Sequence, residues 1–154
     1  MLFHFIKLIQ LMERVKIILP PSPSFFAHIT IRITDLNYGG HVGNDSFLSF
    51  IHEARQQFLL HHGYSELDFC GTSLIMADAA IEYKHELTYG QELKISVSVG
   101  GFDKIGFDIY YLIELNVNEN WVTAGKVKTG MMCFDYKAKK RVAVPQEAIE
   151  KLLG

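Results

Sequence analysis

The residues best suited to acid–base chemistry lie together in one segment, residues 35–45, which reads DLNYGGHVGND. This segment holds an imidazole at His41, a carboxylate at each end and three glycines. Imidazoles and carboxylates exchange protons with reacting groups. Glycines let the backbone approach a ligand closely, and N–H groups at the start of a helix can stabilise negative charge. The segment is therefore the first candidate for a catalytic or binding loop.

A helix is predicted directly after this loop. Residues 46–62, SFLSFIHEARQQFLLHH, carry apolar side chains at helical spacing, and neither glycine nor proline interrupts them before Gly63. At 3.6 residues per turn, this is a helix of about 4–5 turns. Its apolar positions are Phe47, Phe50, Ile51, Ala54, Phe58 and Leu59. Because one face is so largely apolar, we expect a sheet to wrap the helix.

Strands are predicted on both sides of the loop and helix. Residues 25–34, FFAHITIRIT, place isoleucines on one face and polar residues on the other, as in a half-buried strand. Further strands are predicted over 73–87, 91–100, 105–115 and 121–134, and a short helix over 145–154. This order indicates an α+β domain, in which a curled antiparallel sheet of about five strands packs against one central helix.

Composition excludes several other classes of protein. The chain has 154 residues, enough for one domain with a real core. A formal net charge of −2 argues against a nucleic-acid surface. Cys70 and Cys133 are far apart, and we expect reduced thiols in a cytoplasmic protein. No HExxH or GxSxG motif occurs, so neither a metal site nor a serine nucleophile is expected.

The first 24 residues are predicted to form an extension ahead of a domain over 25–154. Apolar residues within 2–11 recur at helical spacing, which predicts a short amphipathic helix packed on the domain or on a partner subunit. Charges interrupt this stretch, so we do not expect it to span a bilayer, and it lacks the features of a signal peptide. Alternatively, Met12 is the natural start. Three prolines at 20, 21 and 23 separate the extension from the domain.

Residues 32–55, RITDLNYGGHVGNDSFLSFIHEAR, resemble the signature of the 4-hydroxybenzoyl-CoA thioesterase and acyl-CoA thioesterase branch of the hotdog superfamily. That signature reads approximately D-x-D-x-x-G-H-V-x-N-x-x-[YF]-L, followed by a helix that ends in E-A-R. The resemblance covers about residues 25–140 and implies a hotdog fold. It also implies hydrolysis of a fatty-acyl or related thioester of coenzyme A or of an acyl carrier protein. No cofactor is expected. The resemblance also implies a homodimer or homotetramer, with the site at the subunit boundary.

The resemblance also implies roles for the loop residues, with one departure. Asn37 occupies the position of the usual catalytic carboxylate, and a neutral amide cannot act as a base, although it can position water or donate to a carbonyl. Three acids are candidate replacements. Asp45 is either the base or a helix N-cap. Glu53 is either a helix carboxylate that faces the partner subunit or a solvated side chain. Asp35 is expected to organise the loop. His41 orients water, stabilises the oxyanion or rigidifies the loop.

Substrate contacts are predicted more coarsely. Gly39, Gly40, Gly43 and Asn44 would surround the thioester at the helix start. The acyl chain would run between helix and sheet along Phe47, Phe50, Ile51 and Met76, residues that could equally be plain core. Basic groups are expected near the coenzyme A phosphates, and Arg55 and Lys104 are the candidates. The competing hypothesis is a non-catalytic acyl-thioester-binding protein that lost its carboxylate at Asn37; a dehydratase is a weaker third choice.

Overall fold

The computed structural model describes residues 13–154, and the helix predicted over 2–11 lies outside them. The elements are β1 (Phe25–Thr30), α1 (Asn44–His61), β2 (Ser73–Tyr83), β3 (Glu92–Gly100), β4 (Gly106–Val117), β5 (Asn120–Asp135), β6 (Lys140–Arg141) and α2 (Gln146–Leu153). Residues 13–24 form neither helix nor strand. Within them, Ile17 is buried, and its N–H donates to the carboxylate of Glu82.

One antiparallel sheet contains every strand in the order β1-β3-β4-β5-β2, and the short β6 pairs with β5. The chain therefore places β1 and β2, which flank α1 in sequence, at opposite edges of the sheet. The strand β2 pairs with β5 on one side, with a bulge between Met76 and Asp78. This order leaves the other side of β2 unpaired among the strands that the structure describes.

The helix α1 fills the concave side of the sheet. Its buried side chains include Phe50, Ile51 and Phe58, and they join one core with alternate residues of β3 and β4 such as Ile95 and Ile113. The period of 3.6 along the helix and of 2 along the strands directs these side chains to the same space. The predicted α+β architecture, one central helix against a curled antiparallel sheet, is confirmed. The sheet has six strands, the sixth being β6.

Two strands end earlier than predicted, and both early ends lie beside the functional region. The prediction over 25–34 fails after Thr30, because the N–H of Arg32 donates to the carboxylate of Asp35 instead of to a neighbouring strand. A short 3₁₀ turn, Ile33–Asp35, follows, and Ile33 is 68% exposed. The prediction over 73–87 fails after Tyr83, so residues 84–87 leave the sheet and run towards the loop. The helix begins at Asn44, two residues earlier than predicted.

Candidate active site

Backbone hydrogen bonds fold residues 36–42 into a narrow loop. Leu36 and Val42 form an isolated antiparallel bridge, and the N–H of Asn37 donates to the carbonyl of His41 at 2.7 Å. The N–H of Gly40 donates to the carbonyl of Asn37 at 3.1 Å, with Gly40 at a φ of +79°. A residue with a Cβ is strained in that left-handed region. The loop therefore has one defined shape, which sets where the side chains of Asn37 and His41 point.

Asp35 is buried beneath this loop and fixes it to the helix. Its carboxylate accepts hydrogen bonds from the N–H and the guanidinium of Arg32, while its carbonyl accepts the Gly43 N–H and the Ser46 hydroxyl. Burial alone would raise the pKa of Asp35, but the hydrogen bonds and charge of Arg32 lower it. Every polar group of Asp35 is thus engaged within the loop, as expected for an organising residue.

The start of α1 is built without a side-chain cap. Gly43 is the N-cap residue, and Asp45 is the second residue of the helix, so the alternative that Asp45 caps α1 is wrong. The Asp45 carboxylate lies against Gly43, in the space that a Cβ at position 43 would need, beside Asn37. Its negative charge next to the helix N-terminus is favourable. No hydrogen bond or ion pair engages this carboxylate within residues 13–154.

A cleft of about 380 Å³ opens beside this helix start. One wall comes from the loop and helix, and the other from the segment that ends β2 and follows it. The first wall contains Asn37, His41, Val42, Asn44 and Phe47, and the second contains residues 83–87. The structure thus brings together four of the predicted site residues, namely Asn37, His41, Asn44 and Phe47, and adds a wall that was not predicted.

Tyr83 and Glu86 are the main polar additions from that second wall. The Tyr83 hydroxyl donates to the carbonyl of Asn44 at 3.5 Å, and its ring lies edge-on to Phe47 with a centroid distance of 4.9 Å. Burial, followed by the charge of Asp45, raises the pKa of the Tyr83 phenol, so it stays protonated at neutral pH. Glu86 lies across the cleft from His41, with Oε2 at 3.4 Å from Nε2.

This second wall was not predicted from the sequence, because residues 73–87 were assigned to one strand. The available signal was the run YKHE at 83–86, four polar or amphipathic side chains in succession. Such a run breaks the alternation that a half-buried strand requires. A strand ending at Tyr83 would have released the following residues to form a site.

Glu53 lies away from this cleft. It is eight residues after Asp45 on α1, about 12 Å along the helix axis at 1.5 Å per residue. Its carboxylate accepts a hydrogen bond from Gln57 at 2.8 Å, and it lines a separate shallow depression with Arg32 and Phe50. Within one chain, Glu53 cannot reach the loop. A role facing a partner subunit stays a prediction.

The two predicted phosphate-binding cations also lie elsewhere. Arg55 is 5% exposed and forms an ion pair with Glu66, so its guanidinium is part of the core. Lys104 precedes β4, at the opposite end of the sheet. Tyr83 pairs with Gly125 and the start of β4 pairs with Met132, which separates the two ends by roughly 23 Å along β5. The basic side chains that do border the cleft are Lys84 and His85.

The residues predicted to contact the acyl chain also lie in different places. Phe47 is buried in the core but also lines the cleft, whereas Phe50 and Ile51 are buried in the core and do not line it. Met76 is exposed on β2 and borders a different depression, together with Leu48 and His52 of α1. Gly39 and Gly40 lie in the loop and Gly43 at the helix start, so all three surround the cleft without lining it.

Three further findings concern metal ligands, membrane spans and cysteines. No group of three or more His, Cys, Asp or Glu side chains in residues 13–154 is arranged to hold a metal ion. No helix in this part of the chain is long and apolar enough to cross a membrane. Cys70 and Cys133 are both free thiols.

One long helix wrapped by a curled antiparallel sheet, with a cleft at the helix start, defines a protein of the hotdog fold. The sequence model of the thioesterase-like superfamily matches residues 31–152, and the chain belongs to this superfamily. The match supports thioester hydrolysis in general; the 4-hydroxybenzoyl-CoA branch within it stays a prediction. None of the curated proteins matches this sequence.

Solved structures share the fold at low sequence identity. A 1,4-dihydroxy-2-naphthoyl-CoA thioesterase from Synechocystis has a TM-score of 0.73 at 19% identity, over 84% of this chain and 95% of its own. A thioesterase-superfamily protein from Jannaschia sp. CCS1 has a TM-score of 0.76 at 16% identity, over 87% and 84% of the two chains. A Staphylococcus aureus protein in complex with CoA has a TM-score of 0.74 at 14% identity, over 84% and 81%.

Proposed function

We propose that this protein hydrolyses acyl-CoA thioesters to a free acid and coenzyme A, in the cleft beside the start of α1. One observation carries the proposal. The backbone N–H groups of Asn44 and Asp45 have no acceptor within residues 13–154, and Asn44 lines the cleft. Free N–H groups at a helix N-terminus are suited to hold the negative oxygen that forms when water attacks a thioester carbonyl.

The side chains of the cleft fit the parts of such a substrate. Asn37 accepts a hydrogen bond from the N–H of Gly39 through Oδ1, at 2.8 Å, and this leaves its Nδ2 group to donate to the carbonyl. The ring of Phe47 offers an apolar surface for the acyl group. Lys84 and His85, in place of Arg55 and Lys104, are the basic side chains that could contact the coenzyme A phosphates. The CoA found in the Staphylococcus aureus relative supports this choice of leaving group.

We also propose that the protein forms a homodimer through β2 and the adjacent face of α1. The outer edge of β2 offers unpaired backbone groups, which readily join the edge of a second sheet. Beside it, Leu48, His52 and Met76 form an exposed, partly apolar surface. Light scattering after size exclusion should give twice the chain mass. Met76→Lys should shift it towards the monomer, whereas Leu153→Lys on α2 should not.

The hydrolysis test measures thiol release from short, medium, long and aromatic acyl-CoAs. Asn44 is the first residue of α1, where proline is tolerated because its missing N–H has no helical partner. Asn44→Pro therefore deletes the proposed oxyanion donor and keeps the helix, whereas Asn44→Ala removes only the side chain.

We expect Asn44→Pro to lose about 10²–10³-fold in kcat, as for loss of one oxyanion donor, and Asn44→Ala to lose far less. Equal losses in the two variants would remove the N–H from the mechanism. Binding of acyl-CoA without thiol release from any substrate would overturn the proposal and favour a non-catalytic binding protein.

A further inference from the structure

The cleft contains an acid–imidazole pair whose members come from two separate parts of the chain. His41 lies in the loop before α1 and Glu86 in the segment after β2, with Nε2 and Oε2 3.4 Å apart. The side chain of His41 is 45% exposed and that of Glu86 is 81% exposed, so both reach the solvent of the cleft. A pair this exposed adds little to stability, so stability does not explain its position in the cleft.

Main-chain hydrogen bonds hold the two residues opposite each other. The N–H of Val42, next to His41, donates to the carbonyl of Leu87, next to Glu86, at 2.9 Å. The N–H groups of residues 84 and 85 both donate to the carbonyl of Ala124, at 2.9 and 3.1 Å. The segment is thus tied to the loop on one side and to β5 on the other. This backbone arrangement places the two residues opposite each other across the cleft.

The geometry decides which imidazole nitrogen is available. Oε2 of Glu86 lies within ion-pair distance of Nε2, and its negative charge favours the tautomer that carries the proton on Nε2. The lone pair is then on Nδ1, which faces the loop near Gly39, 4.0 Å from the position of an added Cβ there. Because position 39 is glycine, no side chain at that position lies against Nδ1.

We propose that His41 is the general base of this protein and that Glu86 is its positioning residue, replacing the function that Asn37 cannot perform. The inference rests on the hydrolysis proposed above. In the reaction, Nδ1 of His41 takes a proton from water while the water oxygen bonds to the thioester carbonyl carbon. The carbonyl π electrons move to oxygen, which the Asn44 N–H and the Asn37 amide stabilise. The C–S bond then breaks, and the thiolate takes the proton from the imidazolium.

The other acids fit this role less well. The Asp45 carboxylate folds back against Gly43 and does not line the cleft. Asp35 is buried and bonded to Arg32. The titratable groups that line the cleft with His41 are Tyr83, at the end of β2, and Lys84, His85 and Glu86 on the segment after it. Of these, Lys84 is already paired with Glu82 at 2.6 Å.

The test compares Glu86→Gln and His41→Asn with Glu150→Gln, which removes one exposed carboxylate from α2, away from the cleft. General acid–base catalysis contributes about 10²–10⁴-fold, so His41→Asn should lose activity in that range. Glu86→Gln should lose about tenfold, because an exposed carboxylate couples weakly to its partner. Glu150→Gln should match the wild type.

The split between kcat and KM separates positioning from a merely structural role. Glu86→Gln should lower kcat and leave KM unchanged, because Glu86 orients the base and does not hold the substrate. A wild-type kcat in Glu86→Gln would overturn the inference, as would full activity in His41→Asn together with collapse in Asp45→Asn. A folded wild type that releases no thiol would instead refute the hydrolysis itself.

Discussion

The ion pair between Arg55 and Glu66 allows a quantitative prediction about stability. Nε of Arg55 donates to Oε1 of Glu66 at 2.5 Å, and this bond joins α1 to the loop that follows it. Burial alone would lower the pKa of Arg55, but interactions with Tyr111 and Glu66 raise it, so the guanidinium stays charged inside the core. Replacing Glu66 by glutamine therefore leaves a buried cation with no anion beside it.

The expected loss of stability depends on how much water can reach Arg55 in the variant. Removing one member of a buried ion pair costs about 3–5 kcal/mol. The side chain of Glu66 is 27% exposed, so water partly solvates Arg55 in the variant, and glutamine keeps one hydrogen bond. We therefore expect Glu66→Gln to lower the free energy of unfolding by about 2 kcal/mol. For a chain of this size that corresponds to a fall in Tm of about 4–8 °C.

The measurement is urea unfolding followed by circular dichroism, with a thermal melt beside it. Glu53→Gln is the matched control, because it changes an exposed carboxylate on the same helix and should stay within about 0.5 kcal/mol of wild type. The double variant Arg55→Met/Glu66→Gln should be more stable than Glu66→Gln, since the unpaired charge is gone. A loss below about 0.5 kcal/mol in Glu66→Gln would refute the reasoning. It would mean that Arg55 reaches water and is available to bind phosphate.

Three further predictions concern stability and the site. Gly125→Ala should destabilise the fold by about 1–3 kcal/mol, because its Cβ would lie 2.9 Å from the ring of Phe47. Ser46→Ala should cost about 1–2 kcal/mol in urea unfolding, because it removes a buried 2.8 Å hydrogen bond to the carbonyl of Asp35. Burial lowers the pKa of His62, so its contribution is present above pH 6.5 and declines as pH falls below that value. The free energy of unfolding should therefore fall more steeply between pH 7 and pH 5 in wild type than in His62→Phe.

Each of these predictions has a clear contrary result. Wild-type stability in Gly125→Ala would mean that Phe47 moves away without cost, and Gly90→Ala offers a comparison where nothing lies within 4 Å but φ is +80°. Wild-type stability in Ser46→Ala would mean that water replaces the lost hydroxyl at the helix start. Parallel pH curves for wild type and His62→Phe would show that protonation of His62 has no effect on the folded state.

The strands and helices were largely predictable because their signals are local. The alternating residues of β1 and the apolar positions of 46–62 repeat with the period of the element they form, whatever the rest of the chain does. The errors fall where a local side-chain bond or a long-range backbone bond competes with the hydrophobic pattern. The carboxylate of Asp35 takes the N–H of Arg32 and ends β1, and the carbonyl of Leu87 takes the N–H of Val42 after β2 has ended.

Residue types and their spacing were enough to predict the fold class, the loop with Asn37 and His41, and the helix that follows it. Which side chains share the cleft depends on how distant parts of the chain pack together. Tertiary packing buries Arg55, places Lys104 at the far end of the sheet, and brings Glu86 to His41. Because packing joins strands that are distant in sequence, the spacing of residues along the chain does not show which charged side chains it brings together.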